Sequence, residues 1–102
     1  MDEFMTNNIK GFLDEDGRLK QLPRKQTKFI LCLEYLATKF DPEKQYTEPE
    51  VNQILTNWHT FGDYFILRRS LIDEGYLLRK TDGSCYWVNP EKKLLSETDQ
   101  KA

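Results

Sequence analysis

The sequence predicts a small α+β domain, three main helices with a small antiparallel sheet, and three observations carry that prediction. The stretch from Asp63 to Glu74 has helical periodicity and stops before Gly75. Two strand-like segments follow at once around Asp82-Gly83, rich in aromatic and aliphatic residues. Upstream, Thr47-Glu48-Pro49-Glu50 opens a second helix, and the polar turn 57–62 separates the two. Helix, turn, helix and hairpin, in that order, is the plan of a winged helix-turn-helix.

Length and composition set the outer limits. A chain of 102 residues supports one domain with a modest core. Hydrophobic residues at 38% and charged residues at 31% fit a folded chain rather than a disordered one. The domain is expected over residues 12–90, preceded by an N-terminal extension, 1–11, and followed by a polar tail, 91–102. No apolar run is long enough for a membrane span, and the Met-Asp-Glu-Phe start lacks a basic region and an apolar core. A cytoplasmic location is therefore expected. In that reducing compartment Cys32 and Cys85, far apart in sequence, read as two buried thiols.

Net charge is −2 and the pI about 5.4, which argues against strong nonspecific binding of nucleic acid. The charge is unevenly spread, however. From Arg18 to Lys80 there are eleven Lys/Arg against eight Asp/Glu, and the acidic excess lies in the ends.

Taken in order, Phe12 to Leu19 reads as two short extended pieces around an acidic turn that closes on Gly17, where a positive φ is expected. Its Asp-x-Asp-Gly resembles the start of a calcium loop but lacks the later ligands. Pro23 suits a helix entry, and the first long helix is expected from Arg24 to about Lys39. Phe29, Ile30, Leu33, Leu36, Ala37 and Phe40 recur along it at three- and four-residue spacing. Arg24, Lys25 and Lys28 crowd its first turn, where the helix dipole disfavours positive charge; a solvated basic turn is the plainer reading and a phosphate-facing patch the alternative.

The segment 43–46 reads as a plain connection. The second helix follows to about Trp58, with Val51, Ile54, Leu55 and Trp58 on one face. The third starts at an Asp63 N-cap. A helical wheel places Tyr64, Leu67, Arg68, Leu71, Ile72 and Phe65 inward, and Ile66, Arg69, Ser70 and Asp73 outward. Arg68, inside the apolar arc, then needs a carboxylate, and Glu50 and Asp63 are the candidates for a structural ion pair. Asp82-Gly83 suits a two-residue type I′ hairpin turn. The small sheet is expected to combine this hairpin with the Leu13/Leu19 segment. Beyond Pro90 a short helical turn near Leu94-Leu95 and a disordered tail are expected.

No catalytic or metal constellation emerges. His59 is the sole histidine, without a nucleophile or carboxylate at useful spacing, and no CxxC or glycine-rich phosphate loop is present. Neither enzyme chemistry nor a cofactor is expected. The candidate DNA-binding residues are Ile66, Arg69 and Ser70 on the third helix, facing bases, with Arg79 and Lys80 on the hairpin and Arg24, Lys25 and Lys28 at the first helix facing phosphates. Asp73, on the same helix face, opposes phosphate.

FLDEDGRLKQLPRKQTK, LCLEYLATKF, YTEPEVNQIL, the H-x-x-x-D-x-x-x-LRRSLID-x-G segment and DGSCYW, spanning Phe12 to Trp87, resemble a bacterial domain of unknown function. That domain occurs alone or appended to the C-terminal side of helix-turn-helix regulators. By position, the residues carrying the resemblance are Gly17, Arg18, Leu19, Pro23, Tyr46, Glu48, Glu50, Val51, Asn52, His59, Asp63, Leu67, Arg68, Arg69, Gly75, Tyr86 and Trp87. Phe61-Gly62 departs from it, since the family more often has polar or acidic residues there.

The resemblance implies a winged helix-turn-helix and, by context, a transcriptional regulator. The expectation is thus a regulator, dimeric, binding double-stranded DNA through its third helix and wing. The alternative is an interaction or dimerisation module using the same surface without DNA. A pocket for a small effector near His59, Tyr64 and Trp87 is the third.

Overall fold

The computed structural model describes residues 8–92 and residue 94. A short 3-10 turn, Lys10–Phe12, leads to α1 (Gln26–Ala37), β1 (Gln45–Tyr46), α2 (Glu48–Asn57), α3 (Tyr64–Asp73), β2 (Leu77–Arg79) and β3 (Tyr86–Val88). The three strands form one antiparallel sheet in the order β1-β3-β2. Three helices with this sheet make an α+β fold compatible with a winged helix.

The third strand is not where the sequence suggested. Leu13 and Leu19 form only an isolated bridge, and the sheet is completed by Gln45 and Tyr46, opposite Trp87 and Tyr86. Tyr46 supplies the reason. Its ring is buried, packs edge-on to Phe40 at 5.3 Å and accepts the Asp41 N–H on its hydroxyl at 2.8 Å. Anchoring one end of a short connection in the core leaves the backbone extended alongside β3. Two residues offer too little alternation to be read as a strand in sequence.

The helices begin and end for local reasons. Thr47 and Glu50 form a full capping box at α2: the Glu50 N–H donates to the Thr47 hydroxyl, and the Thr47 N–H donates to the Glu50 carboxylate. Asp63 caps α3 by accepting the Ile66 N–H at 3.1 Å. At its other end Gly75 takes φ +82°, and the N–H groups of Gly75 and Tyr76 turn back to the carbonyls of Ile72 and Leu71. This is the Schellman arrangement, which needs a left-handed residue at that position. Pro23 is buried before the helix rather than in its first turn, and α1 starts two residues later than expected.

Leu31, Leu33 and Leu36 from α1, Val51 and Leu55 from α2, and Leu67 and Leu71 from α3 meet with Leu77 in a closed core. Each such side chain contributes about 2 kcal/mol on burial. α1 is buried over a wider arc than its periodicity indicated, because Leu31, Cys32 and Glu34 are inside while Phe29 and Ile30 are half-buried. Glu34 accepts a hydrogen bond from the Tyr76 hydroxyl at 2.9 Å. Burial first, and then this carboxylate, push the Tyr76 phenol far above its usual range. Lys39 lies over the rings of Tyr35 at 4.3 Å and Trp58 at 4.0 Å, joining the end of α1 to the end of α2. Burial lowers its pKa. Of the two cysteines, Cys32 is buried and its thiol pushed up to about 12, whereas Cys85 is half-buried.

Residues 8–11 of the predicted N-terminal extension pack onto the domain, with Ile9 fully buried. Leu94 also lies against the core, while Lys93 and residues 95–102 of the predicted tail lie outside the described residues. Among the described residues no helix is long and apolar enough to cross a membrane.

Candidate functional site

The turn between α2 and α3 is held by His59. Its ring is 5% exposed. The Asp63 backbone N–H, which can only donate, points at Nε2 at 2.8 Å, so Nε2 is the unprotonated acceptor. Nδ1 therefore carries the proton and donates to the Leu55 carbonyl at 2.6 Å. Phe61 packs against the ring at 4.7 Å. Both nitrogens are consumed in fastening the last turn of α2 to the cap of α3, which leaves none for a ligand.

A shallow hollow of about 350 Å³ is lined by Thr56, His59, Thr60, Gly62 and Tyr64, without Trp87. The expected grouping of His59, Tyr64 and Trp87 is thus not assembled. Trp87 sits in β3 opposite Gln45 and Leu78, where strand register puts it.

The acidic turn Asp14–Arg18 braces the same region from outside. Asp14 Oδ1 accepts the N–H groups of Asp16 and Arg18, both at 2.9 Å. Chiefly through the Arg18 N–H, this holds the Asp14 carboxyl below its usual value. Gly17 at φ +80° closes the turn. Its carbonyl accepts the Tyr35 hydroxyl at 2.6 Å. Leu19 then bonds across to both flanks of His59: its N–H donates to the Trp58 carbonyl at 2.8 Å, and its carbonyl accepts the Thr60 N–H at 3.0 Å.

The opposite side of α3 is open. Tyr64, Phe65 and Ile66 are 40%, 54% and 41% exposed. Tyr64 and Phe65, expected inward, are exposed instead, and α3 meets the core through Leu67 and Leu71, with Ile72 partly buried against it. Ile66, Arg69, Ser70 and Asp73 lie together along the outer face. Arg69 Nε is 3.7 Å from Asp73 Oδ2, an i,i+4 pair of two exposed side chains.

Arg68 does not use Glu50 or Asp63. Those carboxylates are occupied as helix caps. Arg68 NH1 donates to Asn52 Oδ1 at 2.5 Å, and NH2 lies 3.7 Å from Glu48 Oε2. The guanidinium also sits 5.3 Å from the centre of the Phe65 ring. Glu48 accepts a second contact, the Tyr86 hydroxyl at 2.9 Å. Burial first, then the bond to Glu48, raise the Tyr86 pKa, with Arg68 and Arg79 opposing. Two spacings carry this network. Arg68 and Leu71 share the inner face of α3, while Glu48 and Asn52 are one turn apart on α2. Only the fold brings them to Tyr86, so sequence alone had no signal for it.

The hairpin tip differs from the expected turn. Every residue with positive φ among those described is glycine, so Asp82 lacks the conformation that a type I′ turn requires. Instead Lys80 pairs with Cys85, the Gly83 N–H returns to the Lys80 carbonyl, and Asp82 accepts the Ser84 N–H at 2.9 Å. The result is a four-residue loop, Thr81–Ser84. Arg79 and Lys80 are exposed beside it. Between this hairpin and α3 lies a cleft of about 390 Å³ whose walls include Glu48, Phe65, Arg68, Arg69, Asp73 and Arg79.

The three basic residues assigned to the first helix separate. Arg24 and Lys25 are exposed ahead of α1, while Lys28 donates to the Asn8 backbone and side-chain oxygens, both at 3.0 Å. Lys28 thus fastens the N-terminal segment instead of facing outward.

No curated protein matches this chain, and no solved structure does. A family model covers residues 18–88, from Arg18 in the acidic turn through His59, α3 and the hairpin to Val88 at the end of β3. On that match over most of its length, the chain belongs to the bacterial family described as Uncharacterized protein conserved in bacteria (DUF2087).

Proposed function

We propose that this domain is a DNA-binding transcriptional regulator of winged helix-turn-helix type, acting as a dimer in the cytoplasm. In this reading α3 lies in the major groove and the β2–β3 hairpin is the wing. The observation that carries it is the uncovered outer face of α3. A helix buried through Leu67 and Leu71 holds Ile66 and Arg69 out in solvent with Ser70 half-buried between them, next to a hairpin bearing exposed Arg79 and Lys80. Ile66 and Phe65 suit thymine methyl groups, Arg69 a guanine edge, and the hairpin cations phosphates. Association with other helix-turn-helix regulators, implied by the sequence resemblance, points the same way.

The test is a salt titration of binding to generic duplex DNA. Affinity should fall steeply with salt, with a slope of about −0.9 per phosphate contacted, and Lys80→Ala should reduce that slope by about one. Absence of binding at low salt, or indifference to salt, overturns the reading.

A second reading rests on a different feature of the same face. Tyr64, Phe65 and Ile66 form an exposed apolar group, and Asp73 offsets the charge of Arg69. Such a face suits a protein partner or a second copy of the chain. Arg69→Glu would then abolish a protein complex while leaving retention on DNA unchanged.

A further inference from the structure

The cleft between α3 and the hairpin brings three guanidinium groups together from two elements. Arg68 forms its inner end. That side chain is 14% exposed and is fixed by Asn52 and Glu48, so it offers positive charge in a set position. These two partners engage two of the five N–H donors an arginine carries. Arg69 and Arg79 stand at the mouth. Arg69 is held only by Asp73, with the two side chains 69% and 65% exposed. Pairs of that kind contribute little in water, so Arg69 is released at small cost. Arg79 makes no ion pair among the described residues.

The two carboxylates in the cleft choose among anions. Glu48 is committed to the Tyr86 hydroxyl and to Arg68. Asp73 competes for Arg69, and a singly charged carboxylate ligand would exchange like for like with it. A doubly charged phosphomonoester carries more charge and three acceptor oxygens, which match guanidinium forks arriving from different directions. Ile72 and Phe65 on the cleft wall leave an apolar surface for the group that bears the phosphate.

We propose that this cleft binds a small-molecule phosphomonoester, with Arg68 as fixed inner contact and Arg69 and Arg79 closing from the mouth. The site goes beyond the DNA reading: a backbone phosphodiester has one charge and lacks the third free oxygen. A bound metabolite would place a ligand between α3 and the hairpin, the two elements assigned to the duplex.

The experiment uses the full chain and follows arginine side-chain N–H signals by NMR at fixed ionic strength. The probes are inorganic phosphate, phenyl phosphate, dimethyl phosphate and acetate. Both dianions should shift the signals of Arg69 and Arg79 saturably, while dimethyl phosphate and acetate bind at least about tenfold more weakly. Arg79→Ala should weaken phenyl phosphate binding about tenfold or more, and Asp73→Asn should tighten it by removing the internal competitor. Arg79 and Asp73 are exposed, and melting curves for both variants should match the parent. Equal response to all four probes, no saturable shift, or an Arg79→Ala variant that binds as the parent does overturns the proposal. Duplex DNA takes no part in the assay, so failure of the DNA reading leaves these outcomes unchanged, and failure here leaves the salt titration unchanged.

Discussion

The two ends of the α2–α3 pair are built in opposite ways. On the His59 side every polar group named has a short, specific partner: Leu55, Asp63, Leu19, Trp58 and Gly17 all bond through backbone atoms. On the α3–hairpin side the contacts are between side chains: Asn52 and Glu48 hold Arg68 and Tyr86 at 2.5 and 2.9 Å, but Arg69 is met by Asp73 at 3.7 Å, beside an exposed apolar group and an arginine without a counterion among the described residues. Satisfied backbone groups fix geometry, whereas loosely held side chains leave interaction capacity unspent. The first region is thus fixed by its own bonds, and the second keeps groups that folding does not use.

Changes at His59 should break that division most sharply. His59→Ala orphans the part-buried Asp63 N–H, takes one of two donors from the Leu55 carbonyl and empties a buried site, and should destabilise the fold by about 3 kcal/mol, read as a large drop in melting temperature. A loss under about 1 kcal/mol would mean that water replaces the ring easily. Gly17→Ala combines a φ of +80° with a new Cβ 3.0 Å from the Tyr35 hydroxyl. It should cost about 2 kcal/mol in denaturant unfolding. Thr47→Ala removes half of the capping box beneath the cleft and should cost about 1 kcal/mol, with the Glu48 contacts loosened.

Smaller still is the acid response of Asp14. Its folded-state pKa lies below the ordinary 3.8, so its stabilising share is complete above that value and disappears as pH falls through the folded pKa. Asp14→Asn should therefore flatten the dependence of stability on pH below about 4. Arg69→Ala should change stability by no more than about 0.5 kcal/mol while weakening partner binding. A large stability loss there would blur the two regions.

What could be read in sequence follows the same division. Thr47-x-x-Glu50, the Asp63 cap and Gly75 are short-range devices, completed within a few residues, and they were legible in the chain. The outward set Ile66, Arg69, Ser70 and Asp73 followed from helical periodicity. The partners of Arg68 were not legible, because Glu48 and Asn52 lie sixteen or more positions away and become neighbours only after folding. The two nearer carboxylates were already used as caps. The burial of Glu34, the anchoring role of Lys28 and the strand at Gln45–Tyr46 share that cause. Each depends on a contact with a distant segment, Tyr76, Asn8 or Tyr86, and none has a local pattern.

Glu48 has a mechanical consequence. The first residue of α2 is tied at once to Tyr86 in β3 and Arg68 in α3, and β1 just before it is paired with β3. Hairpin, α2 and α3 are therefore clamped at one point, as spokes at a hub. Swinging the hairpin relative to α3 requires breaking that clamp. The spacing between α3 and the hairpin is accordingly set from the start of α2, by a residue that belongs to neither element.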